Sequence, residues 1–276
     1  MARLEETRPQ CNDRARGLVS SRKSGARVQA RTFAPPPELA LLVESFWVGR
    51  WDLPPDAPHT TRLLGDPCVH VVLADDRSGR PPERLVGVWT ELWENTLAEK
   101  GVVRAAKLRA GAAGALLDDA SSIRNQIVAL PDRFASVPDR SGLGPDPADD
   151  HAMVERLADW LRTTLSPRFL TRAAIDACER IRSERGIRRV ADLARALGRS
   201  ERSVQKLFRV HVGAGPKFLI RRHRLQEAAL RLERGDDLSL AELAHHLGYA
   251  DQAHFARDWR AAVSMSATRF AKSVHE

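Results

Sequence analysis

The chain is poor in cysteine, with Cys11, Cys68 and Cys178 in 276 residues and no Cys-x-x-Cys pair. An odd, scattered set excludes a disulfide framework and a cysteine-rich structural zinc site. Long hydrophobic runs are missing as well. Every apolar stretch is broken by Arg or Asp short of the ~18 residues that a membrane span needs. A soluble chain without a membrane partner is the expectation. No apolar segment of signal-peptide type follows Met1, so the expected compartment is cytoplasmic. The motifs Gly-x-Ser-x-Gly, the phosphate-cradling P-loop and His-Glu-x-x-His are also lacking. Catalytic residues, a metal and a cofactor are therefore not expected.

What the chain does have is a substantial core and an uneven charge. Hydrophobic residues are 43% and charged residues 29% of the total, which excludes a wholly disordered chain. The length predicts two domains. Net charge is +8, but the sign alternates along the chain. Residues 1–31 hold eight basic and three acidic residues, 32–167 hold fourteen and twenty, and 168–276 hold twenty-two and thirteen. The C-terminal third is thus the candidate polyanion-binding unit. Because 38 of the 44 basic residues are Arg, the high charge alone is weak evidence and the placement matters more.

Composition divides the chain further. Residues 1–31 lack a sustained apolar period and read as a disordered basic arm. Residues 32–135 open with Pro35-Pro36-Pro37 and a short helix or strand start over Glu38–Phe46. Short β-like runs follow at Phe46–Trp51, Cys68–Leu73, Leu85–Trp89 and Gly101–Leu108, predicting a small sheet or barrel. Gly111–Leu117 and Ile123–Leu130 are compatible with helix or strand. Residues 136–150, rich in Pro, Gly and Asp, read as a linker. An amphipathic connecting helix over 151–167 carries Val154, Leu157, Ala158, Leu161 and Leu165 on one face.

Residues 168–276 contain an internal repeat. Residues 191–198 read ADLARALG and residues 241–248 read AELAHHLG. In each copy a short helix with an apolar face ends at Gly, and a cap residue starts a second helix. Ser200 caps Glu201–Val210, and Asp251 caps Gln252–Val263. Helix, glycine turn and helix at this length form a helix-turn-helix. In the first copy Val204, Leu207, Phe208 and His211 share one face; Arg202, Ser203, Lys206 and Arg209 share the other, with Gln205 at the border. In the second, Phe255 and Trp259 form the inward pair, and Gln252, His254 and Arg257 face outward. Arg and Lys match guanine acceptors in a major groove and Gln matches adenine. Between the copies, Pro216 to Arg234 reads as one long helix of roughly 28 Å at 1.5 Å per residue. That is close to one DNA turn of ~34 Å, so two second helices can enter successive major grooves.

These stretches resemble the AraC/XylS-type bacterial transcription regulators over about residues 170–276. The matching segments are Arg202 to Phe208, Gly213 to Lys217, Arg222 to Ala228 and, most diagnostic, Gly248 to Trp259. The resemblance implies a monomeric all-α double helix-turn-helix that binds promoter DNA. Base contacts carry over to Arg202, Gln205 and Lys206 and to Gln252, His254 and Arg257. Ser203 and Arg209 complete the expected DNA-binding set, and Arg199, Ser200 and Asp251 are the expected phosphate contacts. The closing stretch departs from the family, with Ser264 and Ala267 where Gly and Pro are usual. Ala253, Ala256 and Asp258 also make the second helix a poor reader of bases, suited to positioning on the backbone.

Residues 32–135 more weakly resemble the sensor-like N-terminal domains of one subgroup, through Val43 to Trp47 and Arg62 to His70. That resemblance implies a β-rich ligand-binding or dimerising domain, and an α+β chain overall. Trp47, Trp51, Trp89 and Trp93 are the candidate pocket lining, against the alternative that they are core. A cupin-type metal set is not met by His59, His70 and the distant Glu91. Pro67-Cys68-Val69-His70-Val71 is similar to the Pro-Cys-His-Arg-Val acceptor of alkylguanine repair proteins, but Val69 separates Cys68 from the His that must activate it.

Three classes result: a ligand-responsive regulator; a DNA-binding protein whose N-terminal domain is an interaction module; and a DNA repair or modification enzyme using Cys68. Expected partners are double-stranded promoter DNA, RNA polymerase, a small-molecule effector and a second copy of the chain.

Overall fold

The computed structural model describes residues 6–7, 27–134, 137–138, 148–236 and 238–275. The elements in chain order are strands β1 (Glu6–Thr7), β2 (Val28–Phe33), β3 (Val43–Asp52), β4 (His59–Leu63), β5 (His70–Asp75), β6 (Glu83–Val86), β7 (Trp93–Leu97), β8 (Lys100–Leu108) and β9 (Ile127–Ala129), then eight helices. The helices are α1 (Ala148–Thr164), α2 (Phe169–Ser183), α3 (Val190–Ala196), α4 (Glu201–His211), α5 (Pro216–Arg234), α6 (Leu240–His246), α7 (Gln252–Val263) and α8 (Ala267–His275). The chain is α+β, with a β-rich N-terminal part and a helical C-terminal part.

Seven strands form one antiparallel sheet in the order β1-β2-β3-β8-β5-β6-β9, and β4 pairs with β7 apart from it. The strand alternation sends two sets of side chains to opposite faces. Phe46, Val48, Val71, Leu73, Val102 and Ala106 join the main core with Val154, Leu157 and Leu161 of α1. Trp51, Val72, Ala74, Val103 and Ala105 form a second cluster, against which Leu97 of β7 packs. The short strands read from the sequence are therefore central strands. Strands β2, β4 and β7 are less legible because half of their side chains are polar and only partly buried. Gly111–Leu117 and Ile123–Leu130, open in the sequence, contain a 3-10 turn at Ala112–Ala115 and strand β9.

Two boundaries differ from the composition-based ones. Val28–Arg31, assigned from composition to the arm, pairs with β3, and Glu6–Thr7 pairs with Phe33 and Thr32. Apart from Arg27, the rest of the arm lies outside the described residues, as does most of the 136–150 linker (136 and 139–147). Helix α1 begins three residues before the expected His151, and its first turn carries Asp149 and Asp150. Asp150 is fully buried against the sheet, accepting from Arg50 Nε at 2.9 Å and Arg104 Nε at 3.0 Å, with Arg31 at 3.7 Å. A carboxylate in the first helical turn opposes the positive end of the helix dipole. Here it also gathers cations from β2, β3 and β8.

Candidate nucleic-acid interface

The repeat folds as two helix-turn-helix units. In the first, α2, α3 and α4 enclose Ala177, Cys178, Ile181, Leu193, Val204 and Phe208, together with Leu219 and Ile220 of α5. In the second, α5 to α8 enclose Leu225, Leu243, Leu247, Phe255, Trp259 and Phe270. Helix α5 spans Pro216–Arg234 as the sequence predicts, with Pro in its first turn and Gly235 in the left-handed conformation at its end. The two turns use glycine for the same reason: Gly198 has φ 60° and Gly248 has φ 75°, a region that side chains disfavour.

Both second helices begin as expected. The Ser203 backbone N–H donates to Ser200 Oγ at 3.2 Å, and that of His254 donates to Asp251 Oδ1 at 2.6 Å. Ser200 and Asp251 thus satisfy helix N-termini by their side chains, while both residues stay exposed. Val204, Leu207, Phe208 and His211 are buried together, which leaves Arg202, Gln205 and Lys206 exposed along the opposite side of α4. Ser203 and Arg199 are half-buried at the start of that helix. On α7, Phe255 and Trp259 are buried, and Gln252, His254 and Arg257 are exposed. The His254 ring meets Tyr249 edge-on at 5.2 Å.

Asp258 does not extend from α7 as a free carboxylate. Its Oδ2 lies 3.3 Å from Arg221 Nε, and its backbone carbonyl accepts from Arg221 Nη2 at 3.1 Å, tying α7 to α5. The methyl-bearing Ala253 is exposed and Ala256 half-buried. Ser264, where the family that the sequence resembles usually has Gly, has φ 59°, and the Arg269 N–H donates to Ser266 Oγ at 3.2 Å at the start of α8.

The first unit is docked on the β-rich part, which the sequence did not reveal. Arg209, an expected DNA contact, places Nη1 2.5 Å from Asp119 Oδ2. Burial works against the Asp119 carboxylate, yet hydrogen bonds from Ser121 and the Arg209 charge hold it below the ordinary range. Gly114 approaches so closely that a Cβ there would fall 1.9 Å from His211 Nδ1, so only glycine fits. Burial, then Arg168, lowers the His211 pKa. On α5, the buried Arg222 donates from Nε to the Gly65 carbonyl and from Nη1 to Gln226 Oε1 at 2.9 Å. Arg222 falls at helical spacing among Leu219, Leu225 and Ala229 on the buried face of α5, and an Arg within that apolar stripe is the sequence signal for this contact.

The four tryptophans occupy three places. Trp51 donates to the Ala98 carbonyl at 3.1 Å and lines an open groove of about 980 Å³ with Arg27, Arg50, Arg77 and Lys100. Trp47 donates to His70 Nδ1 at 3.3 Å. Trp89 and Trp93 meet perpendicularly at 4.5 Å. The Cys68 thiol is buried; burial first, then Asp66 and Glu44, push its pKa well above the ordinary thiol value despite Lys107. That is opposite to what a reactive thiolate needs. Among the described residues no group of three or more His, Cys, Asp or Glu is placed to hold a metal ion. No described helix is long and apolar enough to cross a membrane.

Comparison with known proteins adds two domain matches. Residues 193–273 match a helix-turn-helix domain family, and residues 31–129 match a domain of unknown function, DUF6597. Curated proteins yield no match. Among solved structures, the chain is similar to ToxT from Vibrio cholerae O395 at 11% identity and TM-score 0.40, over 84% of this chain and 98% of that one. It is also similar to unsaturated fatty acid-bound ToxT from Vibrio cholerae strain SCE256, at 12% identity and TM-score 0.38, over 82% and 94%. The AraC-like transcriptional activator CuxR follows at 14% and 0.26, over 77% and 84%. The two helix-turn-helix units on one long helix fall in the stretch that matches the helix-turn-helix domain, and the β-rich part falls in the stretch that matches DUF6597.

Proposed function

We propose that this protein is a transcription regulator that reads two adjacent DNA elements through α4 and α7 and responds to a small molecule through its β-rich domain. The observation that carries the first half is the pairing of two exposed polar helix faces. Each lies on the second helix of its own unit, in the part of the chain with the largest excess of positive charge. Arg202, Gln205 and Lys206 are the base-reading set on α4. Gln252, His254 and Arg257 are the corresponding set on α7, fewer in cations, with Asp258 drawn back to Arg221 so that its carboxylate does not oppose them. Arg199 and the two capped helix starts at Ser200 and Asp251 face the sugar–phosphate backbone, where helix N-termini attract phosphate.

Docking of the β-rich domain directly on α4 supports the second half. Asp119, Gly114 and Gly65 touch Arg209, His211 and Arg222, so a ligand that shifts these contacts alters the DNA-binding unit without a separate relay. The alternative, an interaction module without an effector, uses the same docking. Catalysis through Cys68 finds no support in a thiol that is buried and held protonated.

The test is selection of duplex sequences by the purified full chain, followed by titrations at several salt concentrations. Two elements about one helical turn apart, ~10 base pairs, support reading by both helices. A single short element leaves α7 as a backbone clamp, and binding without sequence preference overturns the regulator reading. For the effector, a metabolite panel is screened by thermal unfolding of the full chain. A ligand at ~100 times its Kd adds about 2.7 kcal/mol to stability. No shift across the panel favours the interaction module.

A further inference from the structure

The two helix-turn-helix units leave between them a concave cleft of about 460 Å³, walled by the end of α2, the loop into α3, one side of α5 and the end of α6. Its charged lining is mainly arginine: Arg182, Arg185, Arg188, Arg224 and Arg231, against Glu184 and Glu227. Three of these cations have carboxylate partners. Arg182 donates to Glu179 at 2.8 Å, Arg231 to Glu227 at 2.8 Å, and Arg185 lies 3.9 Å from Glu227. Arg188 and Arg224 make no ion pair among the described residues. Arg224 instead donates to the Arg188 backbone carbonyl at 2.6 Å and stacks over the Tyr249 ring at 5.5 Å.

That arrangement leaves two guanidinium groups in the lining of one cleft, neither with a carboxylate partner among the described residues. Its electrostatic cost is visible nearby. Burial first, and Arg188 with it, lowers the pKa of Arg224 against the opposing influence of Tyr249 and Asp258. His223, deeper in the same wall, is pushed down to about 4 by burial, Arg222 and Arg182. A cavity lined by guanidinium donors that lack carboxylate partners is suited to an oxyanion with several acceptor oxygens, above all phosphate.

The position of the cleft indicates where that phosphate comes from. The Arg188 side chain lies against Gly248, within 3.0–3.3 Å of where its Cβ would be. Gly248 is in the turn that leads into α7, and the N-terminal end of a recognition helix is the end presented to DNA. The cleft therefore lies between the two helix-turn-helix units and beside the turn into α7, on the path that the intervening backbone takes when a duplex is read in successive major grooves. We propose that this cleft is a phosphate-binding site that grips the DNA backbone between the two elements, with Arg188 and Arg185 as its exposed donors and Arg224 as its fixed one. The inference rests on the DNA-reading function above and adds a third contact region between α4 and α7.

The test uses the full chain carrying Arg185→Gln and Arg188→Gln, which keep the apolar stems and remove both charges. Binding to the selected duplex is titrated against salt, beside wild type. Each lost phosphate contact removes about 0.9 from the slope of log K against log salt, so a decrease of roughly one to two is expected. On a duplex whose intervening phosphates are neutral methylphosphonates, the wild type falls to the level of the variant and the variant loses nothing further. Equal slopes for the two proteins overturn the proposal, as does a difference that persists on the neutral duplex. Equal slopes combined with a Tm increase from pyrophosphate in wild type but not in the variant reassign the cleft to a free phosphorylated ligand, which also overturns the DNA assignment. If wild type shows no preference for any sequence, the regulator reading fails instead, a result that the slopes of the variant do not produce.

Discussion

Arg209 on α4, the second helix of the first helix-turn-helix unit, is ion-paired at 2.5 Å with Asp119, ninety residues earlier in the β-rich domain. The same guanidinium is a candidate phosphate contact, so the two partners compete for it. An exposed pair of this kind is worth about 0–1 kcal/mol. Asp119→Asn is therefore expected to raise DNA affinity by roughly two- to fivefold at low salt. The control is Arg209→Ala, which should weaken binding more in the Asp119→Asn background than in wild type. Titration of the four proteins on one duplex completes the cycle. Equal effects of Arg209→Ala in both backgrounds refute the competition.

Arg202 is exposed on the outward face of α4. If it reads a base, Arg202→Ala costs roughly 1–3 kcal/mol on the preferred duplex and relaxes choice at one position. Competition against duplexes substituted at each position measures this directly. A uniform loss on every sequence would reassign Arg202 to the backbone.

Ser264 occupies a left-handed position, φ 59°, at the end of α7. A side chain there costs about 1–2 kcal/mol relative to the right-handed region, and Gly avoids the penalty. Ser264→Gly is thus expected to stabilise the chain by about 1 kcal/mol, less the added freedom of the unfolded glycine. Denaturant midpoints at constant slope provide the measurement. An unchanged or lower midpoint contradicts the assignment of strain to this residue.

Asp150 compensates Arg50 and Arg104 in the interior, with Arg31 close by. Removing one partner of a buried ionic cluster leaves charge without compensation and costs about 3–5 kcal/mol. Asp150→Ala should lower the unfolding midpoint accordingly. It should also loosen β2, β3 and β8 together, a change visible as faster amide exchange in those strands. Loss of stability below 1 kcal/mol would mean that water takes over the role of the carboxylate.

The histidine of the cleft wall sets a pH dependence. Burial, followed by Arg222 and Arg182, holds the His223 pKa at about 4 in the folded chain, whereas an unfolded histidine titrates near 6.5. Between these values the unfolded chain binds more protons, so stability falls as pH drops from about 6.5 to about 4. The shift corresponds to a loss of roughly 2–3 kcal/mol across that window. His223→Gln should flatten this part of the stability profile while leaving the region above pH 7 unchanged. A profile with the same slope in the variant would place the titration elsewhere.

The helical half was largely legible in the sequence because its determinants are local. A period of 3.6, a cap at Ser200 or Asp251, a glycine at 198 or 248 and a proline at 216 act within one turn of the chain. They set α4, α5 and α7 to within a residue or two. The repetition of one such unit fifty residues later then identified the domain. The central strands were readable for a similar reason, since β5 carries the apolar run Val71–Ala74 and β8 carries Val102, Val103, Ala105, Ala106 and Leu108. Pairing was not. The β3-β8-β5 order and the separate β4-β7 pair depend on contacts between residues tens of positions apart, which no local pattern encodes.

Thus local periodicity, capping and repetition in the sequence determined the helix-turn-helix units, the faces they bury and the outward sets at Arg202–Lys206 and Gln252–Arg257. Only the tertiary structure decided what those faces meet. It joined Arg209 to Asp119, sent Arg222 from an apolar stripe to the Gly65 carbonyl, tied Asp258 back to Arg221 and set Arg188 beside Arg224. Each of these is a polar partnership between distant segments. An arginine has the same local preferences whether its partner is a carboxylate, a carbonyl or a phosphate, so the choice is made by packing alone.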